Sequence, residues 1–260
     1  MYTTKSALKK ALKKQLILVN GDIGTTATYI TGGERIELKA STERKNTRQV
    51  VLDLKVWYED EYLAVIEKPA GIAVSGNRFL NVANALTQNL HRSTAFDSVS
   101  PKPVHRLDYP TTGALLIGKT SSTIINLNRL FETKEIKKVY YAITIGAMKA
   151  TGRVVAPIDG KVSVSYYEVE QSIVSVRFAY LNLVKVQPKT GRRHQLRKHL
   201  AAIGNPILGD VDYGQQNLLL KGKGLYLHAY SLQFVHPVMQ NKIEVKSELP
   251  KKFLKLFPLD

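Results

Sequence analysis

Two rhythms of apolar and polar positions run along the 260-residue chain. Between residues 5 and 15, Ala7, Leu8, Ala11 and Leu12 recur at helical spacing while lysines fill the remaining face, which predicts a short basic helix. The strand-like run Leu16–Val19 follows. Asn20-Gly21 then favours a tight hairpin turn, Gly32-Gly33 makes another, and Arg35–Leu38 reads as a further strand. From Ala40 to Gln49 the chain is polar and charged with no apolar period, the signature of a linker. The chain therefore divides into a small module over residues 1–40, a linker over 41–50 and a main domain over 51–260.

From Val56 onward the rhythm changes to many short apolar strands broken by a few helices. Ser121–Phe131 predicts a helix with Ile124, Leu127 and Phe131 on one face and a Ser/Thr cluster to cap its start. Val174–Val186 and Leu225–Val235 predict strands. Arg192–Ile203 predicts a second helix, burying Leu196, Leu200 and Ile203 and ending at Gly204. Strand runs with scattered helices predict an α+β fold rather than a regular α/β repeat. No internal repeat or low-complexity tract is evident.

Charge adds a partner to this outline. The chain carries 38 Lys+Arg against 21 Asp+Glu, a formal +17, which points toward a polyanion, nucleic acid being the commonest. Residues 1–50 alone hold ten Lys+Arg against four Asp+Glu, a net of +6. Cysteine is absent, which excludes disulfides, a thiolate nucleophile and Cys-ligated zinc or iron–sulfur sites, and suits a reducing cytoplasm. No apolar run approaches the roughly 20 residues of a membrane-crossing helix. Leu16–Val19 is too short for the core of a signal peptide. The first 21 residues lack acids, as an organellar transit peptide would, but a structural use is the preferred reading.

Two clusters carry candidate chemistry. In His105-Arg106-Leu107-Asp108-Tyr109-Pro110-Thr111-Thr112-Gly113, a base and an acid precede a turn and the apolar strand Ala114–Ile117. Taken alone, Asp108 fits an ordinary turn cap. In Thr190 through Leu200, Arg193 and Arg197 stand four residues apart and would share a helix face opposite the leucines, facing solvent or phosphate.

Read together, the blocks resemble the RluA family of pseudouridine synthases, which modify uridines in ribosomal and transfer RNA. Val56–Glu61 followed by Glu67-Lys68-Pro69-Ala70-Gly71 is similar to the family's entry motif. His105-Arg106-Leu107-Asp108 with Thr112-Gly113 is similar to its catalytic motif. Lys138-Val139-Tyr140-Tyr141-Ala142, then Thr190-Gly191-Arg192 through Arg197 and on to Gly209-Asp210, resemble later blocks. Leu227-His228-Ala229 and Phe234–Pro237 complete the series, which spans residues 55–238 in order. Ordered blocks are far more specific than any single motif. Thr112 replaces the usual Ser, Gly118 a usual Ala, and Asn205 the His that commonly precedes Pro206; none removes a reactive group. Residues 1–40 resemble the small RNA-binding module of the ribosomal protein S-four type, through Ala7–Lys10, Val19–Gly21 and Gly33–Ile36.

The resemblance implies a pseudouridine synthase fold, with a large mixed, mostly antiparallel sheet flanked by helices and loops, plus a small N-terminal α/β module. It implies that Asp108 is the catalytic carboxylate, that Arg197 orients it and that Tyr140 contacts the base. Uridine isomerisation is redox-neutral and transfers no group to a second molecule, so no cofactor and no metal is expected. A flipped-out nucleotide needs bracing and backbone contacts, for which Arg106, His105, Arg192, Arg193, Lys198, Lys9, Lys10 and Lys13 are the candidates. The expected partner is RNA, ribosomal more than transfer. No membrane or obligate protein partner is expected, and the chain is expected to be a monomer in the cytoplasm. Two rival readings remain at this point: a non-catalytic RNA-binding protein or chaperone of the same fold, and a hydrolase using His105, Asp108 and His194. The second lacks clustered carboxylates or a nucleophile–base pair at convincing spacing.

Overall fold

The computed structural model describes residues 5–39, 50–220 and 222–258. Apart from Val50, the expected linker lies outside the described residues. Contacts divide the chain into two compact units, residues 1–48 and 49–260.

In the first unit, α1 (Lys5–Lys13) precedes β1 (Ile17–Val19), β2 (Asp22–Ile23) and β3 (Ile36–Leu38), three antiparallel strands in the order β2-β1-β3. Asn20 and Gly21 both adopt positive φ, 52° and 91°, and set Val19 opposite Asp22. That backbone suits the right-handed strand twist, and Asn-Gly is the pair that tolerates it. The Asn20 side chain then accepts a bond from Arg35 N at 2.8 Å and fastens β3 alongside. Ala11, Ile17 and Leu18 are buried, while Lys9, Lys10 and Lys13 are exposed.

The second unit is built on one ten-stranded sheet. In chain order its elements are β4 (Val56–Glu59), β5 (Leu63–Lys68), α2 (Val82–Asn89), β6 (Ser98–Pro103), β7 (Thr112–Thr120), α3 (Ser121–Glu132), β8 (Lys137–Ile145) and β9 (Thr151–Val155). After these come β10 (Val164–Ser175), β11 (Ala179–Pro188), α4 (Gln195–Ala202), β12 (Leu227–Val235), β13 (Lys242–Lys246) and α5 (Lys251–Leu254). The main path runs β4-β5-β7-β12-β8-β11-β10-β9, with β6 on β7 and β13 on β12.

Side chains one apart on a strand point to opposite faces, and here both faces are covered. Ala64, Ile66, Leu115 and Ile117 pack against Val82, Ala85 and Leu86 of α2. Their neighbours Leu63, Val65, Ala114 and Leu116 pack on the other face with Leu127 of α3 and with Ile243 and Val245 of β13. This explains why β5 and β7 read as unbroken apolar runs. A third core gathers Ala142, Ile143, Val184 and Val186 with Leu196 and Leu200 of α4 and Phe253 of α5. The fold is mixed α+β, as the patterning predicts, with the mostly antiparallel sheet that the resemblance implies.

One pairing in the sheet is parallel, β7 with β12, through His228↔Thr112 and Ala229↔Gly113. Gly113 has φ +112°, and a Cβ there would collide with the Ala229 backbone. The seam therefore requires glycine directly after the Asp108 turn. Beside it the buried His228 bridges Thr112 Oγ1 (2.7 Å) and Ser247 Oγ (3.0 Å). Burial and the nearby Lys252 pull its pKa down to about 4, so a neutral ring joins the strands. The hydroxyl of Thr112 supplies this contact, a group that the usual Ser also carries.

The structure corrects four sequence expectations. Val174–Val186 is not one strand but the end of β10, a turn and most of β11. Buried Phe178 anchors that turn, and Ala179 carries its positive φ of 59°. The second helix begins at Gln195, not Arg192, because His194 takes a left-handed conformation (φ 55°) at its N-cap. Arg193 thus lies before the helix and shares no face with Arg197, which is buried rather than facing solvent. Ile203, expected in the core, is 38% exposed.

Candidate active site

A cleft of about 550 Å³ opens where the Asp108 turn, the start of β8 and the Thr190–Leu196 segment meet. Asp108, Tyr140, His105, Arg106, Arg192, Arg193 and His194 all line it, so the structure brings together most of the predicted residues. Asp108 and His194 are both largely buried, with Asp108 Oδ1 3.8 Å from His194 Nε2. Tyr140 lies close enough to Asp108 that burial first, and then that carboxylate, raise its phenol pKa well above the ordinary range. Tyr140 is therefore a neutral donor beside a carboxylate. Burial lowers the His194 pKa, and Arg197 and Arg193 add to this while Asp108 and Asp212 oppose it.

The Asp108 turn is held from behind by Lys68, at the end of β5. Lys68 is fully buried, and its ammonium donates to Pro69 O (2.7 Å), Thr111 O (2.8 Å) and Tyr109 O (3.2 Å). An ammonium has three donors, and two of them hold the turn's backbone while the third holds the Pro69 carbonyl beside it. Gly71 N donates to Tyr109 O as well, at 2.9 Å. Burial lowers the Lys68 pKa to about 8, with Asp108 opposing the shift. No role for Lys68 could be read from the sequence, where it is simply part of the entry motif. Its acceptors lie up to 43 residues away.

Arg197 does not pair with Asp108 as expected. Its Nε and Nη2 grip Asp210 (2.8 and 2.6 Å), and Nη2 also reaches Asp212 (2.6 Å). Burial would discharge the guanidinium, but these carboxylates hold it firmly charged. Arg197 is linked to Asp108 only through other side chains. Arg197 braces the 210–213 turn and sits 5.0 Å over the Tyr213 ring, and the Tyr213 hydroxyl is 2.9 Å from His194 Nδ1. Gln195, also missed, folds the segment before α4. Its Oε1 accepts from Thr190 Oγ1 and Arg192 N, while Nε2 donates to Val164 O and Ser165 Oγ.

The predicted RNA contacts separate into groups. Arg106, Arg192 and Arg193 are exposed at the cleft. His105 instead uses Nε2 to accept from Leu116 N at 2.9 Å and packs on Phe131 at 4.8 Å. Loss of solvation and the charge of Lys138 hold its pKa down to about 3, so it is a neutral structural ring. Lys198 does not line the cleft and pairs with Asp159 at 3.5 Å. Lys9, Lys10 and Lys13 belong to the first unit.

Known proteins give this arrangement a family. Residues 62–202, just over half the chain, match the family model described as RNA pseudouridylate synthase. The ribosomal large subunit pseudouridine synthase C of Rickettsia felis is 29% identical, with 98% of this chain and 91% of that protein aligned. The ribosomal large subunit pseudouridine synthase D of Vibrio cholerae is 31% identical, over 97% of this chain and 86% of its own. The solved structure of human RNA pseudouridylate synthase domain containing 4 superimposes with a TM-score of 0.62 at 27% identity, covering 77% of this chain and 90% of that one. The matched segment contains the Asp108 turn, Tyr140 and Arg197 alike, and the chain belongs to the RNA pseudouridylate synthase family of isomerases.

Proposed function

We propose that this protein isomerises a uridine of large-subunit ribosomal RNA to pseudouridine, with Asp108 as the catalytic carboxylate. The observation that carries this reading is the largely buried Asp108 carboxylate in a cleft that the exposed Arg106, Arg192 and Arg193 also line. A carboxylate facing a polyanion harms simple binding, so its placement favours chemistry over a passive RNA clamp. The choice of ribosomal RNA rests on the names of the relatives, and a cytoplasmic, monomeric enzyme accompanies it. No described helix is long and apolar enough to cross a membrane.

The reaction breaks the bond from N1 of uracil to C1′ and makes one from C5 to C1′. The C5 proton leaves and N1 regains one, so the product is an isomer. A stacked uridine cannot reach Asp108; the nucleotide must flip, at a cost of a few kcal/mol. Arg106 fills the space it leaves, and Arg192 and Arg193 hold flanking phosphates. The Asp108 carboxylate serves this bond exchange by adding to the base, adding to the sugar or taking a sugar proton. Tyr140, kept neutral, contacts the uracil as a hydrogen-bond donor, and the C5 proton is lost to a base or to water. The N-terminal unit, with Lys9, Lys10 and Lys13 exposed, adds a second grip on RNA.

The test is release of tritium from C5-labelled uridine in a large-subunit ribosomal RNA transcript, paired with binding of the same RNA. Asp108→Asn keeps the size of the side chain but cannot act as nucleophile or base. It is expected to abolish release, by more than about 10³-fold, and to leave affinity equal or slightly higher. Substantial turnover by Asp108→Asn would refute the assignment.

A further inference from the structure

A second basic hollow, of about 320 Å³, adjoins the Asp108 cleft and shares Lys134, Lys138, Pro188 and Lys189 with it. It forms where the sheet opens. Pairing between β8 and β11 runs from Leu181↔Ile145 to Val186↔Tyr140 and stops there. Yet β8 reaches back to Lys137 and β11 runs on to Pro188, which has no N–H to offer a ladder. On the other side of β8, Lys137 stands opposite Gln233 of β12, which in turn stands opposite Glu244 of β13. The hollow is thus a notch beside the diverging strand ends, with Lys134, Lys137, Lys138 and Lys189 around it and Glu244 as its one acid. Gln187, Ser231 and Gln233 add neutral hydrogen-bonding groups.

No aromatic side chain lines the notch, whereas the cleft beside it has Tyr140, Phe131 and two histidines. Bases are recognised by stacking and edge contacts, and phosphates by cations and amides. The two adjoining hollows therefore offer different chemistries: one receives a ring, and the other receives anionic backbone. We infer that the notch between β8 and β11 binds the sugar–phosphate backbone of a nucleotide flanking the target, with Lys137 and Lys189 holding its phosphodiester. This rests on the proposed action on RNA and extends it to where the strand runs on leaving the catalytic cleft. Charge and shape read the backbone here, so the contact is indifferent to which base is attached.

Lys137 tests it, because it is exposed and lines the notch but not the cleft. The probe is the labelled ribosomal RNA transcript, followed by tritium release and by filter binding over a salt series. Lys137→Glu is expected to raise KM about fivefold to tenfold with kcat changed less than about twofold. It should also flatten the slope of log affinity against log salt by about 1. Lys137→Arg, which keeps the charge, is expected to match the wild type. An unchanged KM and slope in Lys137→Glu would overturn the inference, as would a loss confined to kcat. Release by the wild-type protein reports separately on the catalytic reading. The binding slope is measured without turnover and stands or falls alone.

Discussion

The two arms that meet at the cleft are held in opposite ways. The Asp108 turn is fastened by its backbone: Lys68 takes the carbonyls of Tyr109 and Thr111, Gly71 N adds a third bond, and Gly113 is locked against Ala229. The Thr190–Tyr213 arm is fastened by side chains: Gln195 ties four groups, and Arg197 clasps two aspartates. The first device leaves the side chain of Asp108 free to act while its Cα is fixed. The second can pass a disturbance on, because Tyr213, His194 and Asp108 follow one another in contact. The contrast predicts that damage to the second arm reaches the site through the Tyr213–His194 hydrogen bond and the 3.8 Å contact from His194 to Asp108, and damage to the first through the placement of one loop.

The largest effect should come from Arg197→Met. It leaves Asp210, whose side chain is fully buried, without its cation. Breaking such a pair from one side costs about 3–5 kcal/mol. Urea unfolding should report that loss, with turnover falling alongside it. The amides of Asp212 and Tyr213 still reach Asp210 Oδ1, each at 3.1 Å. A loss under about 1 kcal/mol would mean that those amides suffice and that the charge network of the second arm is dispensable.

The next effect is a pH dependence specific to the first arm. Burial puts the Lys68 pKa at about 8, below its ordinary 10.5. Between these values the unfolded chain holds the proton more tightly, so for this group stability rises with pH as the folded side chain loses its charge. Activity should move the other way. A neutral amine has two donors for three carbonyls and no charge behind Asp108. The rate should therefore fall as pH climbs through about 8 while the denaturation midpoint does not. Lys252 titrates in the same range, and Lys252→Met should keep the alkaline fall in rate. If the fall vanishes with Lys252 instead, the first arm does not depend on its buried cation.

Much of this site is local in sequence, and that part was legible. His105 through Gly113 is one turn, and residues so close arrive at the cleft together. Asp108 with Arg106 belongs to that one turn, whereas Tyr140, Arg192 and Arg193 come from separate segments and are tied to it only through the family resemblance. What could not be read is which distant group each one meets. Arg197 has acids 13 and 15 residues away that reach it only after the 204–212 loop closes, and nothing in spacing ranks them above Asp108. Helix periodicity ran back to Arg192 because arginines form helices well. The Gln195 side chain instead bonds Arg192 N and turns the backbone out of the helix. The β10–β11 hairpin was hidden for a similar reason: its turn uses Val176, Arg177 and Phe178, without Gly, Asn or Pro to signal it.

A smaller change isolates the Tyr213–His194 hydrogen bond of the second arm. Tyr213→Phe removes one hydroxyl, the partner of His194 Nδ1, and leaves the ring beneath the Arg197 guanidinium. Stability should drop by no more than about 1 kcal/mol, the usual net worth of one hydrogen bond. If His194 is aimed at Asp108 by this bond, kcat should fall about fivefold to tenfold with KM nearly unchanged, since about 1 kcal/mol is that factor in rate. An effect on KM alone would place Tyr213 in RNA binding instead.

The smallest effect separates two cations five positions apart. Arg193 is exposed at the cleft, and Lys198 lies outside it, paired with Asp159, whose side chain is 72% exposed. A pair so open to solvent contributes under about 1 kcal/mol, because water and salt screen it and two flexible chains must be held still. Lys198→Gln should therefore leave stability, KM and the salt slope of RNA binding unchanged within error. Arg193→Gln should lower that slope by about 1 through the loss of a phosphate contact. The pair of variants is best compared on one transcript across one salt series, where each serves as the other's control. Equal slopes would mean either that Arg193 touches no phosphate or that Lys198 reaches one. Wild-type slope in Arg193→Gln picks out the first, and a flattened slope in Lys198→Gln the second. Either would show that the second arm meets RNA across a wider face than the cleft itself.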